Sequence, residues 1–253
     1  MLLAVDIGNT NVKLGAFRGP DLLATWRIAT DPRRTPDEYA ALVVALLAMR
    51  GIAPTQVARV ALCSVVPPLT AVFREVAHDV FGTSPLVVGE TLETGLRVLY
   101  EPPADVGADR LVASAAAYRR LGGPVIVVEF GTATVFDAVS SAGEYLGGAI
   151  HPGLQLAAEA LFTGTSQLRR IELRRPAAAI GRTTIGAIQS GVVLGHVGMV
   201  EGMIARFRRE VGEDAPAVAT GGLARLIAAE TTVFAAVDED LILDGLRLLA
   251  GAV

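Results

Sequence analysis

The sequence predicts an α/β protein made of two similar halves, and three observations support this. Strand-like and helix-like segments alternate in an order close to βββαβαβα, once in each half. The segments around Asp6 and Glu129 match at an offset of 123 residues (129 − 6), close to half of the 253-residue length. Hydrophobic residues make up 52% of the chain, enough for each half to bury its own core. We therefore expect two domains, 1–121 and 122–253.

The first half begins with strands and ends with a helix. A β-hairpin is predicted at the start, because Leu2–Ile7 and Val12–Phe17 are apolar and Asn9–Asn11 supply turn residues. A capping box typical of a helix start begins at Thr35, and that helix is expected to end near Met49. The other segments are strands at Leu22–Ile28, Val57–Ser64 and Leu86–Val88, and helices at Pro68–Phe81 and Arg110–Leu121.

The second half repeats this order. Strands are predicted at Val125–Phe130, Thr134–Val139, Glu144–Ile150, Ala217–Thr220 and Thr232–Ala235, and helices at Leu154–Phe162, Thr184–Val211, Leu223–Ala229 and Asp240–Leu249. Thr184 is expected to cap the longest of these helices. Five glycines in that helix, three to five residues apart, suit close packing at a domain or subunit boundary.

The composition excludes several classes of protein. A net charge of −4, a pI near 5.5 and only 5% aromatic residues argue against a nucleic-acid binder. The single cysteine, Cys63, cannot form an internal disulfide or a cysteine-based zinc site, and its apolar neighbours predict a core residue. The longest apolar stretch, Tyr39–Met49, is shorter than the roughly 20 residues that span a bilayer. With no basic leader at the start, we expect a cytoplasmic protein that does not enter membranes.

Other polar residues receive no functional role from the sequence. His78, His151 and His196 are scattered without the spacing of metal ligands, and His151, beside a proline, is expected in a loop. Solvated or capping positions are expected for Asp137, Glu144 and Glu159.

Two acid-bearing turns are the strongest chemical signal. Val5–Val12 and Val128–Val135 both contain valine, an acid, an apolar residue and glycine, followed by small polar residues. A carboxylate at the end of a buried strand must be paired, hydrated or bound to a metal, and glycine permits close backbone approach. Two such turns facing a cleft would hold a phosphate chain and Mg²⁺. Ordinary hairpin turns with surface acids are the alternative, and the repeated acid favours phosphate binding. Lys13 either reaches a phosphate or points away on the alternating strand.

The segment Gly107-Ala108-Asp109-Arg110 lies at a predicted helix start. The residues alone favour a capping role for Asp109, whose carboxylate would satisfy free N–H groups and interact favourably with the helix dipole. A carboxylate there could also orient a substrate hydroxyl and accept its proton during phosphoryl transfer. The same ambiguity holds for Thr220-Gly221-Gly222, which is either a plain strand-to-helix turn or a contact with adenosine.

Six segments in order resemble the type III pantothenate kinases of the acetate-kinase/hexokinase/Hsp70/actin superfamily, over essentially the whole chain. They are Asp6–Lys13, Gly107–Arg110, Glu129–Thr134, Gly147–Gly153, Thr163–Thr165 and Thr184–Gly191. The resemblance implies two duplicated ribonuclease-H-like (actin-like ATPase) domains around a central cleft. It also implies ATP-dependent phosphorylation of the primary hydroxyl of pantothenate to 4′-phosphopantothenate, the first step of coenzyme A biosynthesis. The alternatives are a non-catalytic transcriptional accessory factor of the same fold and another small-molecule kinase of the superfamily.

The resemblance also implies roles for individual residues. Asp109 is the general base. The ATP-binding residues are Asp6, Ile7, Gly8, Asn9, Thr10, Asn11, Val12, Lys13 and Thr132, and the pantothenate-binding residues are Tyr100, Gly107, Ala108, Asp109, Arg110 and Thr184. Asp6 would hold Mg²⁺, through water, and Glu129 a monovalent cation, K⁺ or NH₄⁺. Glu129 stands where the family usually has Asp, so a changed cation dependence is expected. The implied assembly is a homodimer with the substrate pocket at its interface, and Thr184 would reach the neighbouring subunit's site.

Overall fold

The computed structural model describes residues 1–165, 168 and 170–251 and divides into two compact units. The first comprises Met1–Leu96, Glu101–Ala116 and the chain from Ile242 onward, and the second comprises Arg97–Tyr100 and Ala117–Leu241. Three segments, 97–100, 117–121 and the chain from 242 onward, thus belong to the opposite unit from the one that the predicted ranges 1–121 and 122–253 give them. That 1–121 and 122–253 fold as independent domains stays a prediction.

A five-stranded sheet forms the centre of the first unit. Its strands are β1 (Leu2–Ile7), β2 (Asn11–Arg18), β3 (Asp21–Ala29), β4 (Arg59–Ser64) and β5 (Leu86–Val87), in the order β3-β2-β1-β4-β5. The first three are antiparallel neighbours, whereas β4 and β5 add in parallel after crossover helices. The helices of the first half are α1 (Pro36–Ala48), α2 (Pro67–Phe81) and α3 (Ala108–Leu121), and α3 passes into the second unit at Ala117.

The two faces of this sheet are packed differently. One face packs the apolar side chains of β1 and β2, such as Val5, against Tyr39 of α1 and Phe73 of α2 in the main core cluster. On the other face, β2 has Gly15, and an added Cβ there would lie 3.0 Å from Leu243. The absence of that side chain brings the C-terminal helix against the sheet, which places this helix in the first unit.

A six-stranded sheet forms the centre of the second unit. Its strands are β6 (Arg97–Val98), β7 (Val125–Phe130), β8 (Ala133–Val139), β9 (Glu144–Pro152), β10 (Ala217–Thr220) and β11 (Phe234–Val237), in the order β11-β10-β7-β8-β9-β6. Strands β7 to β11 repeat the order and directions of β1 to β5, so the duplication predicted from the sequence is confirmed. The sequence did not predict β6, a two-residue strand that pairs with β9.

The helices of the second half are α4 (Leu154–Thr163), α5 (Thr184–Val211), α6 (Ala224–Ala228) and α7 (Leu241–Leu249). Among the described residues, α5 is the one helix long and apolar enough to span a bilayer by length and composition. One face of α5 buries Val193, Val200 and Ile204 in the core of the second unit. Core packing therefore accounts for the apolar residues on this face of the helix.

Several local predictions can be compared with the structure. The capping box of α1 is confirmed, since the Thr35 side chain and Glu38 each accept from the other's backbone N–H group. The prediction that Thr184 caps α5 is wrong: the hydroxyl of Thr183 accepts from the Gly186 N–H at 3.0 Å, and Thr184 is the first helical residue. Cys63 is fully buried, as predicted.

Two further predictions about polar residues are wrong. His151 lies in β9 rather than in a loop, because β9 continues two residues past the predicted end. Asp137 is only 2% exposed, and its carboxylate accepts a hydrogen bond of 2.6 Å from the Tyr145 hydroxyl. The alternation of β8 places Asp137 on an inner face, where a hydrogen-bonding partner offsets the cost of burial.

Candidate active site

The turn between β1 and β2 is a tightly closed backbone loop. The N–H of Gly8 donates to the Asn11 carbonyl at 3.0 Å, and a Cβ on Gly8 would lie 3.2 Å from that oxygen. Thr30 closes the loop from outside, since its hydroxyl donates to the Gly8 carbonyl at 2.7 Å and its N–H donates to the Thr10 carbonyl at 3.0 Å. Asn9, Thr10 and Asn11 are exposed at the tip, where their polar groups are accessible to a ligand.

The side chain of Lys13 shares a face of the sheet with Asp6. The two residues are directly opposite in the β1–β2 register, and cross-strand partners project to the same side. The sequence left open whether Lys13 reaches a phosphate or points away on the alternating strand. The register places Lys13 on the face of Asp6, and its contact with a phosphate stays a prediction. Lys13 is also the only lysine in a chain with 22 basic residues.

Asp6 and Asp109 form an electrostatically coupled pair of carboxylates within the first unit. Burial, and then the negative charge of Asp109, raise the pKa of Asp6 from 3.8 to about 7, although Lys13 acts in the opposite direction. Burial also raises the pKa of Asp109, while the hydrogen bond from the Arg110 N–H and the Arg110 charge lower it. Two acids with raised pKa values in one place are typical of a functional site, because stability alone does not favour them.

The start of α3 holds Asp109 in place. Its Oδ1 accepts from the Arg110 N–H at 2.8 Å, so the carboxylate satisfies one free N–H group of the helix, as the capping interpretation predicted. A Cβ on Gly107 would overlap this same oxygen and would lie 3.3 Å from Val65. Glycine is therefore required at position 107 for this placement of the carboxylate. Ala108, the first residue of α3, is partly buried between the two.

The turn between β7 and β8 has the same closing bond in a shorter loop. The N–H of Gly131 donates to the Ala133 carbonyl at 3.0 Å, and Phe130 pairs with Thr134. In the first turn Ile7 pairs with Val12, which leaves one more residue in the loop. A Cβ on Gly131 would lie 3.5 Å from Oε1 of Glu129, so this carboxylate reaches over the glycine.

Backbone from two other segments encloses the second turn. A Cβ on Gly153 would overlap the carbonyls of Gly131 and Thr132, and a Cβ on Gly221 would overlap the backbone of Phe130. Gly221 also has a φ of +90°, which L side chains rarely adopt. These close approaches explain why glycine stands at position 153 in the segment Gly147–Gly153 and at position 221 in Thr220-Gly221-Gly222. Thr132 remains exposed at the tip of the turn.

The second unit also contains a buried polar cluster that the sequence did not predict. The hydroxyl of Thr134 and Nε2 of His196 lie 2.8 Å apart, and the rings of His196 and His151 are 5.3 Å apart. Burial, and then the neighbouring His151, lower the pKa of His196 from 6.5 to about 4. The histidines come from β9 and α5, 45 residues apart (196 − 151), so only their tertiary contact could reveal the cluster.

The remaining predicted substrate residues lie in the second unit. Tyr100 is half-buried, and its ring centroid lies 6.5 Å from that of Tyr145. Thr184 is exposed at the start of α5, beside Ile185, which is 53% exposed. Within the described part of the chain, no group of three or more His, Cys, Asp or Glu side chains is arranged to hold a metal ion.

Comparison with known proteins identifies the family. A family model described as type III pantothenate kinase matches residues 2–206. The chain belongs to the type III pantothenate kinase family. A family member from Roseiflexus castenholzii is 50% identical over 249 residues, covering 98% of each chain, and one from Myxococcus xanthus is 49% identical over 251 residues, covering 99% of this chain and 98% of the relative. The resemblance stated from six sequence segments is thereby confirmed.

Solved structures confirm the predicted α/β fold. A conserved putative Baf family transcriptional activator from Campylobacter jejuni aligns with a TM-score of 0.63 at 16% identity, covering 98% of this chain and 97% of the other. A putative 2-dehydro-3-deoxygalactonokinase from Sinorhizobium meliloti aligns with a TM-score of 0.55 at 14% identity, covering 100% and 97%. At these identities the likeness establishes the fold alone, the α/β actin-like architecture expected from the sequence.

Proposed function

We propose that this family member transfers the γ-phosphoryl group of ATP to the primary hydroxyl of pantothenate, giving 4′-phosphopantothenate in the first step of coenzyme A biosynthesis. The observation that carries the proposal is the coupled pair Asp6 and Asp109, in a chain 50% identical to a type III pantothenate kinase across 98% of both sequences. Because ATP is the phosphoryl donor, we place the reaction in the cytoplasm.

Asp109 acts as the general base in this proposal. A primary alcohol is a poor nucleophile, and a carboxylate within hydrogen-bond reach orients the hydroxyl and accepts its proton as the phosphoryl group transfers. The raised pKa of Asp109 makes its carboxylate a better proton acceptor than an ordinary aspartate. The guanidinium of Arg110 can bind the carboxylate of pantothenate or a phosphate oxygen.

Asp6 is suited to hold Mg²⁺ through water. Its carboxylate lies near a second acid, and ionising both costs free energy unless a cation compensates the charge. Oxygen donors are the ligands that Mg²⁺ prefers, and the ion usually keeps several waters when one or two carboxylates bind it. When bound, Mg²⁺ neutralises negative charge on the phosphates of ATP.

The two turns are proposed to bind ATP. In the segment Ile7–Val12, backbone N–H groups and the side chains of Asn9, Thr10 and Asn11 supply donors for phosphate oxygens. The hydroxyl of Thr132 supplies a further donor, and Lys13 supplies a positive charge. Glu129 is proposed as the ligand of K⁺ or NH₄⁺. Its Oε1 lies 3.5 Å from the position of a Cβ on Gly131, so the carboxylate is held beside the turn.

We also propose that the protein is a homodimer through α5, with Thr184 contributing to the partner's substrate pocket. Gly191, Gly195 and Gly198 form an exposed side of α5 where an added Cβ would meet no atom within 4 Å. Two apolar side chains at the beginning of α5 are also exposed: Ile180, just before the helix, is 83% exposed, and Ile185, in its first turn, is 53% exposed. A second copy of the helix would cover both features.

Analytical ultracentrifugation tests the dimer. Gly195→Leu combined with Ile185→Glu is expected to give a monomer with a raised KM for pantothenate, because the interface and the partner's Thr184 are lost together. Met49→Glu, at a 77% exposed position of the first unit, is the matched control and should stay dimeric. Wild-type protein that sediments as a monomer would overturn the assembly.

A substrate panel tests the reaction. Purified protein is incubated with MgATP and pantothenate, acetate or glucose, and ADP formation is followed with a coupled assay. Turnover of pantothenate alone is expected. Turnover of acetate or glucose without pantothenate would assign the chain to another kinase of the superfamily, and no turnover of any substrate would favour a non-catalytic accessory role.

Replacing the proposed base tests the mechanism. Asp109→Asn is expected to lower kcat by about 10²–10⁴-fold while circular dichroism stays unchanged, because the amide cannot accept the hydroxyl proton. The matched control is Asp105→Asn, an exposed acid just before the same helix. Wild-type turnover in Asp109→Asn would remove Asp109 from the mechanism.

A further inference from the structure

Tyr100 is held by backbone and ring contacts within the second unit. The N–H of Leu99 donates to the Tyr145 carbonyl at 2.9 Å, and Val98 pairs with Tyr145 in the β6–β9 ladder. The segment that leads to Tyr100 is thus tied to β9, one residue before the tyrosine. The side chain then lies with its ring beside that of Tyr145, at 6.5 Å between centroids and with a tilt of 54°.

Tyr145 is itself fixed by a buried hydrogen bond. Its side chain is fully buried, and its hydroxyl donates to Oδ1 of Asp137 at 2.6 Å. A hydrogen bond from a phenol to a carboxylate that is only 2% exposed is strong, because little water competes for either group. The ring of Tyr145 is therefore a rigid wall on one side of Tyr100.

Gly147 makes room for Tyr100 on the same strand. Its φ is +121°, and an added Cβ would lie 3.3 Å from Cδ2 of Tyr100. A larger residue would be strained by the backbone and would push the Tyr100 ring. Glycine at this position therefore leaves the space that the Tyr100 ring occupies beside β9.

We propose that Asp137, Tyr145 and Gly147 are positioning residues that set the orientation of Tyr100 for recognition of the substrate. This inference rests on the proposed function, in which Tyr100 contacts pantothenate. Each of the three residues contacts Tyr100 or another member of the group, and none of them is proposed to contact ATP. Their loss therefore changes the KM for pantothenate and leaves the KM for ATP and kcat nearly unchanged.

Steady-state kinetics provides the first measurement. Tyr145→Phe keeps the ring and removes only the hydroxyl, so it should raise the KM for pantothenate about threefold, which reflects a loosened aromatic contact. Gly147→Ala should raise it about tenfold, because strain and displacement of Tyr100 act together. Asp137→Asn should resemble Tyr145→Phe.

The chain offers matched controls for the loss of the Tyr145 hydroxyl and for the replacement of Gly147. Tyr118→Phe also removes a tyrosine hydroxyl, one that donates to the Ser141 carbonyl at 3.3 Å. Gly143→Ala also replaces a glycine with positive φ, +75°, whose added Cβ would lie 3.2 Å from a tyrosine, Tyr118. Both controls should leave the KM for pantothenate unchanged.

A double-mutant cycle with Tyr100→Ala decides whether the residues act through Tyr100. In that background, Tyr145→Phe and Gly147→Ala should change the KM for pantothenate less than about twofold. Equal effects with and without Tyr100 would overturn the proposal, as would an unchanged KM in both single variants.

Urea unfolding of the same variants gives a readout independent of activity. The midpoint shifts of Tyr100→Ala and Tyr145→Phe should be non-additive in the double variant, since the two rings pack together. Additive shifts would overturn the packing on which the inference depends. If wild-type protein does not phosphorylate pantothenate, the proposed function and the substrate role of Tyr100 both fail, while the unfolding midpoints still decide whether Tyr145 fixes Tyr100.

Discussion

The two acid-bearing turns share a backbone but differ in their charges. In both, a glycine N–H donates across the turn at 3.0 Å, to Asn11 in the first and to Ala133 in the second. Asp6 pairs across the sheet with Lys13, whereas Glu129 pairs with the apolar Val135. Duplication thus preserved the strand geometry, while the charged surroundings of the acid diverged.

This difference indicates separate tasks for the turns. The first turn combines an acid, a lysine and the electrostatic influence of Asp109, the groups that phosphoryl transfer requires. The second turn has a longer acid, Glu129, beside a glycine. The buried Thr134 follows this turn and is hydrogen-bonded to His196. We infer that the first turn serves the chemistry and that the second serves mainly to bind nucleotide and cation.

The largest expected effect is the difference in turnover between a variant without the first acid and a variant without the second. Asp6→Asn is expected to lower kcat/KM by about 10²–10³-fold, because the Mg²⁺ proposed to neutralise the phosphates loses the carboxylate proposed to hold it. Glu129→Gln should lower it by about tenfold or less at saturating K⁺, since binding rather than chemistry is affected. Coupled ADP assays of both variants measure the contrast, and equal losses would contradict the division of tasks.

The stability of the metal-free protein should depend on pH through Asp6. Its pKa is about 7 in the folded state and 3.8 as its ordinary value, so folding favours the protonated form. The stabilisation is full below about pH 4 and is lost as pH rises through 7. We expect Asp6→Asn to be more stable than wild type by about 2–3 kcal/mol at pH 8 in EDTA.

Urea unfolding at pH 5 and pH 8 measures this effect, with Asp105→Asn as the control. The advantage of Asp6→Asn should shrink at the lower pH, where the wild-type acid is protonated. An advantage independent of pH would show that the carboxylate of Asp6 ionises normally.

Acid should destabilise the second turn through His196. The pKa of this buried histidine is about 4 in the folded state and 6.5 ordinarily, so the stabilisation is present above 6.5 and is lost as pH falls toward 4. His196→Gln, which keeps a hydrogen-bonding group for Thr134, should remove about 2 kcal/mol of this dependence. His78→Gln, at an exposed position, is the control for unfolding curves between pH 4 and pH 7.

The smallest expected effect concerns the identity of the acid in the second turn. Glu129→Asp shortens the side chain by one methylene and should change the activation by K⁺ over Na⁺ about two- to fivefold, because ligand distances decide cation affinity. Asp6→Glu in the first turn should instead impair catalysis itself. Identical responses to K⁺ in wild type and Glu129→Asp would exclude Glu129 as a cation ligand.

Local signals in the sequence predicted most of the fold. The capping box at Thr35 and the alternating apolar residues of β1 and β2 depend on neighbours within a few positions, so these elements could be located without coordinates. The capping residue of α5 was misplaced by one position, because Thr183 and Thr184 are equally good capping residues and only the backbone angles distinguish them.

The candidate site divides in the same way. Asp6, Glu129 and Asp109 were visible as acids two residues from a glycine, because tight turns and helix starts have short-range signatures. The coupling of Asp6 with Asp109 and the contact of His196 with Thr134 join residues far apart in the chain. Patterns of neighbouring residues contain no information about such distances.

The sequence by itself determined the repeated order of strands and helices, the two glycine turns and the family, since these depend on local hydrophobic periodicity and short motifs. Tertiary structure alone decided that Lys13 faces Asp6 and that Asp137 is buried against Tyr145. The physical reason is strand register. A shift of one residue moves every side chain to the opposite face of a sheet, and the packing of the whole sheet selects the register.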